Sequence, residues 1–346
     1  MFAYVGAYTS KDRNGRGDGI NVYRVDEVSG AWTHVQCRGE LVNPSWLALD
    51  RRRPVLYAAH GEGHEATAYA IEPGTGRLRV LNRQPTQGKN GVRLGIEASD
   101  RYLVCANYSS GTVAVLAIEP DGSLGALRDL VPLTGKTGPH PTEQTHDVAF
   151  DPRGRFCLIP DKGLDAVFVF RVDEGGKLVP ARPASVASRP GAGPRHAGFH
   201  PTGPFAYVLN ELDSTLTTYR FDADTGGLEP RQTITTLPPA WSGRNTTSEI
   251  AVAPSGRFVY ASNRGHDSVV VFAVEPATGT LRPVGWEPTH GKTPRFIGLD
   301  PAGAALYAAN QDSDTIVAFR VDQQSGTLTP TGQVVAVGSP STIVFR

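Results

Sequence analysis

The chain is short of several things, and each shortage narrows what it can be. Its 34 Lys and Arg are matched by 34 Asp and Glu, giving a formal net charge of zero. Nothing in the composition therefore draws it to nucleic acid or to an anionic membrane surface. Cysteine occurs only at Cys37, Cys105 and Cys157; an odd number, widely spaced in apolar segments, predicts buried free thiols rather than a disulfide framework. No apolar run approaches the length that crosses a bilayer. The opening MFAYVGAYTS has no basic leader or long apolar stretch and reads as a strand, so a cytoplasmic protein is expected. Amphipathic helices alternating with strands, which a doubly wound fold requires, are missing as well.

What is abundant is glycine and proline, 39 and 27 residues without low-complexity blocks, the signature of many short strands joined by tight turns. These strands repeat. The unit is an apolar strand ending in a polar residue, a loop, a β-branched strand ending near Asp or Glu, then a glycine turn and a leucine. LVCANYSSGTVAVLAIEPDGSL, AYVLNELDSTLTTYRFDADTGGL and VYASNRGHDSVVVFAVEPATGTL are three copies. The residue after the turn falls at Trp32, Leu78, Leu124, Leu178, Leu228, Leu281 and Leu328, at spacings of 46, 46, 54, 50, 53 and 47. Seven units with room for four strands each predict an all-β, seven-bladed propeller of four-stranded antiparallel blades, one domain over residues 1–346. The last run, Pro340–Phe345, has no later strands of its own, and the first unit lacks an innermost strand. The C-terminal strand is therefore expected to pair beside the N-terminal one, closing the ring and removing exposed edges.

In such a blade the loop entering the innermost strand A and the loop between B and C lie at one end. At the starts of A strands stand His146, Arg195 with His196, Ser248 with Glu249, and Arg295. At the ends of B strands stand Asn107, Asp161, Asn210 with Glu211, Asn263 with Arg264, and Asn310 with Gln311. All are expected at one mouth of the central channel. Asn107, Asn263 and Asn310 also suit plain turn chemistry, because a strand-end Asn bonds local backbone. Arg295 has an equal claim as a structural bridge between blades. His60, His64, His140, His266 and His290 sit in loop contexts and are assigned no role.

GAGPRHAGFHP with NELDS, TSEIAVAPSGRFVYASNRGHDSV, TPRFIGLDP with AANQDSDTI, and THDVAFDPRGRF with PDKGLD resemble, in order and spacing, the seven-bladed propeller lactonase family. That family includes the propeller type of 6-phosphogluconolactonase and the fungal 3-carboxy-cis,cis-muconate lactonizing enzyme. The resemblance spans essentially the whole chain. It implies a catalytic set of His146, Arg195, Glu211 and Arg264; His196, Glu249, Arg295 and Asn310, at the same mouth, are the candidate substrate-binding residues. Many members carry a second histidine two residues before the first, where this chain has Gln144.

The residues themselves suit that chemistry. Opening a lactone needs an activated water, a stabilised oxyanion and a proton for the leaving ring oxygen. Glu211 or His146 is the candidate base, with the other as relay, and Arg195 faces the carbonyl oxygen. Arg264 and Arg295 suit a phosphate or carboxylate, since planar guanidinium forks bind such groups bidentately. The expected ligand is a small anionic lactone, with no metal or other cofactor, on a monomer or weak homo-oligomer. Lactonisation of a carboxymuconate uses much the same parts in reverse. A calcium site built from Glu249, Asp161, Asn107 and Asn310 and a non-catalytic binding platform are the other readings, the last marked by exposed aromatic anchors on a broad face.

Overall fold

Strands that are apolar on both sides need a neighbour on each face. In this chain, a computed structural model describing residues 1–135 and 142–346, that need builds a ring. His140 lies outside the described residues. Seven four-stranded antiparallel sheets form the blades. Their innermost strands are Pro340–Phe345 (blade 1), Pro44–Leu49, Gly91–Ile96, Ala149–Phe150, Pro194–Phe199, Thr246–Val252 and Pro294–Leu299 (blade 7). Each touches the next, and the last touches the first. Second strands such as Val55–His60, Tyr102–Asn107 and Phe205–Asn210 are buried throughout, because blades cover both faces. Outermost strands such as Leu228–Thr235 instead alternate toward solvent along much of their length.

The core is correspondingly a set of seven apolar clusters, each wedged between two blades, as where Tyr57 and Ala68 of blade 2 meet Leu103, Cys105 and Leu116 of blade 3. Polar side chains then fix the angle between blades. Gln36, Asn82, Asp129 and Gln232 each accept the backbone N–H of the recurrent leucine in the following blade, at Leu78, Leu124, Leu178 and Leu281, over 2.6–2.9 Å. The hydroxyls of Tyr4, Tyr57 and Tyr260 donate to the carbonyls of Gly76, Gly122 and Gly326 one blade on. The leucine register seen in the sequence is thus a blade-to-blade stitch as well as a core position.

Ring closure occurs as expected: Ala3, Tyr4, Val5 and Gly6 pair with Phe345, Val344, Ile343 and Thr342. Gly6 permits this approach, since a Cβ there would lie 2.2 Å from the Pro44 carbonyl oxygen. One expectation is corrected. Cys105 and Cys157 are buried free thiols, but Cys37 is exposed, because it lies on the outermost strand Trp32–Arg38 of blade 1, where an apolar neighbourhood in sequence does not mean a covered face. No helix among the described residues is long and apolar enough to cross a membrane.

Candidate functional site

Innermost strands enter with a bulge. The pairing register slips at Pro44/Trp46, Gly91/Arg93, Pro194/His196, Pro294/Phe296 and opposite Gly6/Ala7, and a bulge re-aims a side chain out of the ladder. The bulged residues Ser45, Val92, Arg195, Arg295 and Ser341 line one narrow cavity together with His146. Next along the chain come Trp46, Arg93, Asp147 and His196; Trp46, His196 and Glu249 line the same cavity. Above them a cavity of about 170 Å³ is lined by His146, Glu211, Arg264 and Arg295, with Arg13, Asn90, Val92, Tyr108 and Lys162. A larger hollow of about 590 Å³ beside Phe221 and Glu229 is lined by none of the candidate residues.

Glu211 is the charge centre of the mouth. Its Oε2 lies 2.8 Å from Arg195 Nε and 3.2 Å from Arg264 Nη2, and its Oε1 3.2 Å from Lys162 Nζ. Burial opposes its ionisation, but Arg264, Arg195 and Lys162 outweigh that and hold the carboxyl well below its usual range. Arg195 is buried, 3% exposed, which lowers its pKa to about 10; it remains a cation at neutral pH. Its Nη1 donates to the Ser248 carbonyl and lies against the His196 ring. Arg264 Nη2 also donates to the Thr247 carbonyl, at 2.6 Å.

His146 stands edge-on to Tyr108 and to His196, ring centroids 5.3 and 5.1 Å away. Burial, then the charge of Arg195, holds its pKa well below the usual value. It is therefore a neutral imidazole, and its Nδ1 has no hydrogen-bond partner among the described residues. Gln144, at the position where the resemblance leads one to look for a second histidine, accepts the Tyr108 hydroxyl at 2.9 Å and so sets the ring that flanks His146.

Beneath lies a buried polar plug. His196 Nδ1 is 2.8 Å from Glu249 Oε1, a distance that requires a proton between them. Arg93 reaches Asp147 Oδ1 at 2.7 Å and Glu249 Oε2 at 3.3 Å, with its Cζ 3.7 Å above the Trp46 ring. Burial lifts the Asp147 carboxyl to about 6 despite Arg93, and lifts Glu249 as well.

Of the sequence candidates, His146, Glu211, Arg264 and Arg295 share the upper cavity, and Arg195, His196 and Glu249 share the lower one with His146 and Arg295. Asn310 is not brought in: its Nδ2 donates to the Thr289 carbonyl at 3.0 Å. Asn107 and Asn263 are tied likewise to Thr86 and Thr236, and Asp161 accepts the N–H groups of Gln144, Gly163 and Leu164. The oxygens considered for calcium are therefore dispersed on separate structural tasks. Among the described residues no three His, Cys, Asp or Glu side chains gather as a metal group. Lys162, Tyr108, Arg93, Asp147, Trp46, Tyr8 and Arg13 escaped sequence reasoning. Superposing the innermost strands on their Pro-Arg-His and Pro-Arg-Phe segments finds Arg93, Trp46 and Asp147; no local pattern marks Lys162 or Arg13.

A ring of blades enclosing a small cavity lined by Arg13, Lys162, Arg264 and Arg295, with one ionised carboxylate and one neutral imidazole, defines a class: a propeller with a charged pocket at the mouth of its channel. The chain belongs to the lactonase, seven-bladed β-propeller family, whose pattern it matches over residues 2–345. It is 33% identical over 303 residues to the 6-phosphogluconolactonase of Bacillus subtilis, covering 86% of this chain and 84% of that one. Among solved structures it resembles a periplasmic gluconolactonase of Pseudomonas aeruginosa, with a TM-score of 0.91, 33% identity, and 99% and 98% of the two chains covered. A putative 6-phosphogluconolactonase of Bacteroides fragilis superposes with a TM-score of 0.91 at 30% identity, over 100% and 97% of the chains.

Proposed function

We propose that this chain is a lactone hydrolase that opens 6-phosphoglucono-δ-lactone to the hydroxy acid. The observation that carries the reading is the charge of the upper cavity, where Arg13, Lys162, Arg264 and Arg295 face a single carboxylate, Glu211. A cavity of that sign in a chain of zero net charge suits a small anion. The names borne by relatives of similar length point to the same substrate.

His146 is the base in this scheme. It is neutral and lines both cavities, whereas Glu211 is too firmly ion-paired to accept a proton readily. As a water oxygen attacks the lactone carbonyl carbon, His146 takes the water proton; burial and the charge of Arg195 oppose the resulting imidazolium, which Glu211 only partly offsets, so the proton is held briefly and passed on. The carbonyl oxygen gathers negative charge beside Arg195, which Glu211, Ser248 and the buried layer below hold in place. Fixed donors of this kind stabilise the transition state without reorganising. Collapse breaks the bond from the carbonyl carbon to the ring oxygen, and the proton passes from His146 to that oxygen. Glu211 serves as the anchor that keeps Arg195, Arg264 and Lys162 together.

The binding-platform reading finds no support at the surface: the large hydrophobic side chains exposed among the described residues are Val28, Val42 and Val334, with no aromatic anchor. An exposed unpaired thiol at Cys37 favours a reducing compartment, hence the cytoplasm. The test is the rate of hydrolysis of freshly generated 6-phosphoglucono-δ-lactone beside glucono-δ-lactone, with and without chelator, corrected for spontaneous opening. Acceleration of the phosphorylated lactone, lost in His146→Ala, is expected. No acceleration of either lactone overturns the reading.

A further inference from the structure

One wall of the upper cavity carries two guanidinium groups from neighbouring blades with unequal counter-charges. Arg13 closes the short 3-10 turn Lys11–Arg13, in the B–C loop of blade 1. Arg295 is the bulged residue in the innermost strand of blade 7. Both flank one ring: Arg295 Cζ lies 4.9 Å and Arg13 Cζ 5.7 Å from the centroid of Tyr8. Such stacking fixes the guanidinium planes while leaving their in-plane donors free.

Arg13 is paired. Its Nε donates to Glu62 Oε1 at 2.6 Å, and Nη2 meets the same oxygen. Glu62 belongs to the B–C loop of blade 2, where Asn90 holds it through contacts to its backbone N–H and its carboxylate. Arg295 has no such partner: among the described residues no carboxylate lies within ion-pair distance of it, and Glu211 is already taken by Arg195, Lys162 and Arg264. One cation facing the cavity is thus left without a protein counterion, beside a second whose counterion sits on a half-exposed loop, 35% exposed.

Resting on the lactonase reading, we propose that Arg295 and Arg13, spaced by Tyr8, form the subsite for the substrate's phosphate, and that Glu62 is an internal competitor that lets go of Arg13 when the phosphate enters. A phosphomonoester brings close to two negative charges and three strong acceptors, enough to occupy both forks. Arg295 supplies the standing attraction. Glu62 sets selectivity: a neutral sugar lactone has no group to displace it, so Arg13 stays latched and adds nothing to binding. No covalent step is involved.

The experiment compares KM and kcat for 6-phosphoglucono-δ-lactone and glucono-δ-lactone in the wild type, Arg295→Gln, Arg295→Lys, Arg13→Gln and Glu62→Gln. Losing one charge-assisted contact to the phosphate raises KM for the phosphorylated lactone about tenfold more than for the unphosphorylated one in Arg295→Gln, and Arg13→Gln shifts the ratio the same way. Arg295→Lys restores part of the preference, which separates a charge effect from misfolding. Glu62→Gln lowers KM for the phosphorylated lactone alone. Equal losses on both lactones in Arg295→Gln overturn the subsite, and an unchanged or raised KM in Glu62→Gln overturns the latch. Calorimetric binding of inorganic phosphate is read independently of turnover. Phosphate bound by the wild type and not by Arg295→Gln upholds the subsite even if neither lactone is hydrolysed. Hydrolysis without phosphate preference or phosphate binding overturns the subsite and leaves the lactonase reading standing.

Discussion

A single carboxylate among three cations is an unusual arrangement, and its consequences are local. Glu211 touches Arg195, Arg264 and Lys162 at 2.8–3.2 Å with 12% of its side chain exposed, so solvent does little of the neutralising. Glu211→Gln keeps the shape and removes the charge, leaving three cations to repel one another. Breaking one partner out of a buried ionic set costs about 3–5 kcal/mol, and Arg195 loses the contact that aims it. The expected outcome is a lower denaturation midpoint together with a fall in kcat of about a hundredfold. Chemical denaturation and steady-state kinetics on the same preparation check it; wild-type turnover in a destabilised variant would leave Glu211 structural only. Glu211 was legible because it follows a strand-end Asn directly after the Pro-Arg-His hairpin. Lys162 was not, since PDKGLD looks like any solvated turn until the loop is folded over Glu211.

At the level of the strand and its loop, one side chain type does a repeated job. Asn107 and Asn310 end second strands and Asn263 stands one residue before the end of its own, and each reaches a threonine just after the outermost strand of the preceding blade: Thr86, Thr236 and Thr289. Glycine accommodates two of them, since a Cβ at Gly88 would lie 2.2 Å from the Asn107 amide and one at Gly291 2.4 Å from that of Asn310. Asn310 is therefore a link between blades 6 and 7 rather than a wall of the cavity; its main bond reaches the preceding blade, not its own turn as plain turn chemistry had it. Asn310→Ala strands the Thr289 carbonyl in a buried place and costs about 1–3 kcal/mol. The melting temperature falls while KM for the phosphorylated lactone holds; a raised KM at unchanged melting temperature would return Asn310 to the binding site. The strand pattern alone could not separate the two roles, because strand-end residues that bond their own loop and those that face the channel alternate within a residue or two. The bulge decides which does which, and nothing in the local composition announces a bulge.

Across the whole molecule, the repeat made blade number and ring closure readable, because seven like units, the first lacking an innermost strand and the last run lacking the others, complete one another in a ring. The charges buried at the centre of that ring were less readable, and they govern how stability answers to pH. Burial, followed by the charge of Arg195, holds His146 and His196 well below the usual histidine value. As pH falls through about 6.5 the unfolded chain takes up protons that the folded one refuses, so each of the two removes about 1.4 kcal/mol per pH unit. His60, His200 and His266, also lowered first by burial, act with the same sign. Asp147 acts in the opposite direction: with its folded pKa at about 6, the folded state keeps a proton that the unfolded state gives up, and acidification from there toward the ordinary carboxylate range adds stability. Glu249 and Asp161, raised by burial, share that sign. Glu211, held low, loses its contribution only as pH falls below the unfolded carboxylate value, near 4.3. The melting temperature should therefore begin to drop as pH falls through about 6.5 and keep falling below it, with Asp147 offsetting part of the loss from about pH 6 downward. His196→Gln removes one of the two central imidazoles and should shallow the drop. A melting temperature that rises between pH 7 and 6 would mean that these rings are protonated in the fold, and that the centre of the propeller carries more positive charge than its packing implies.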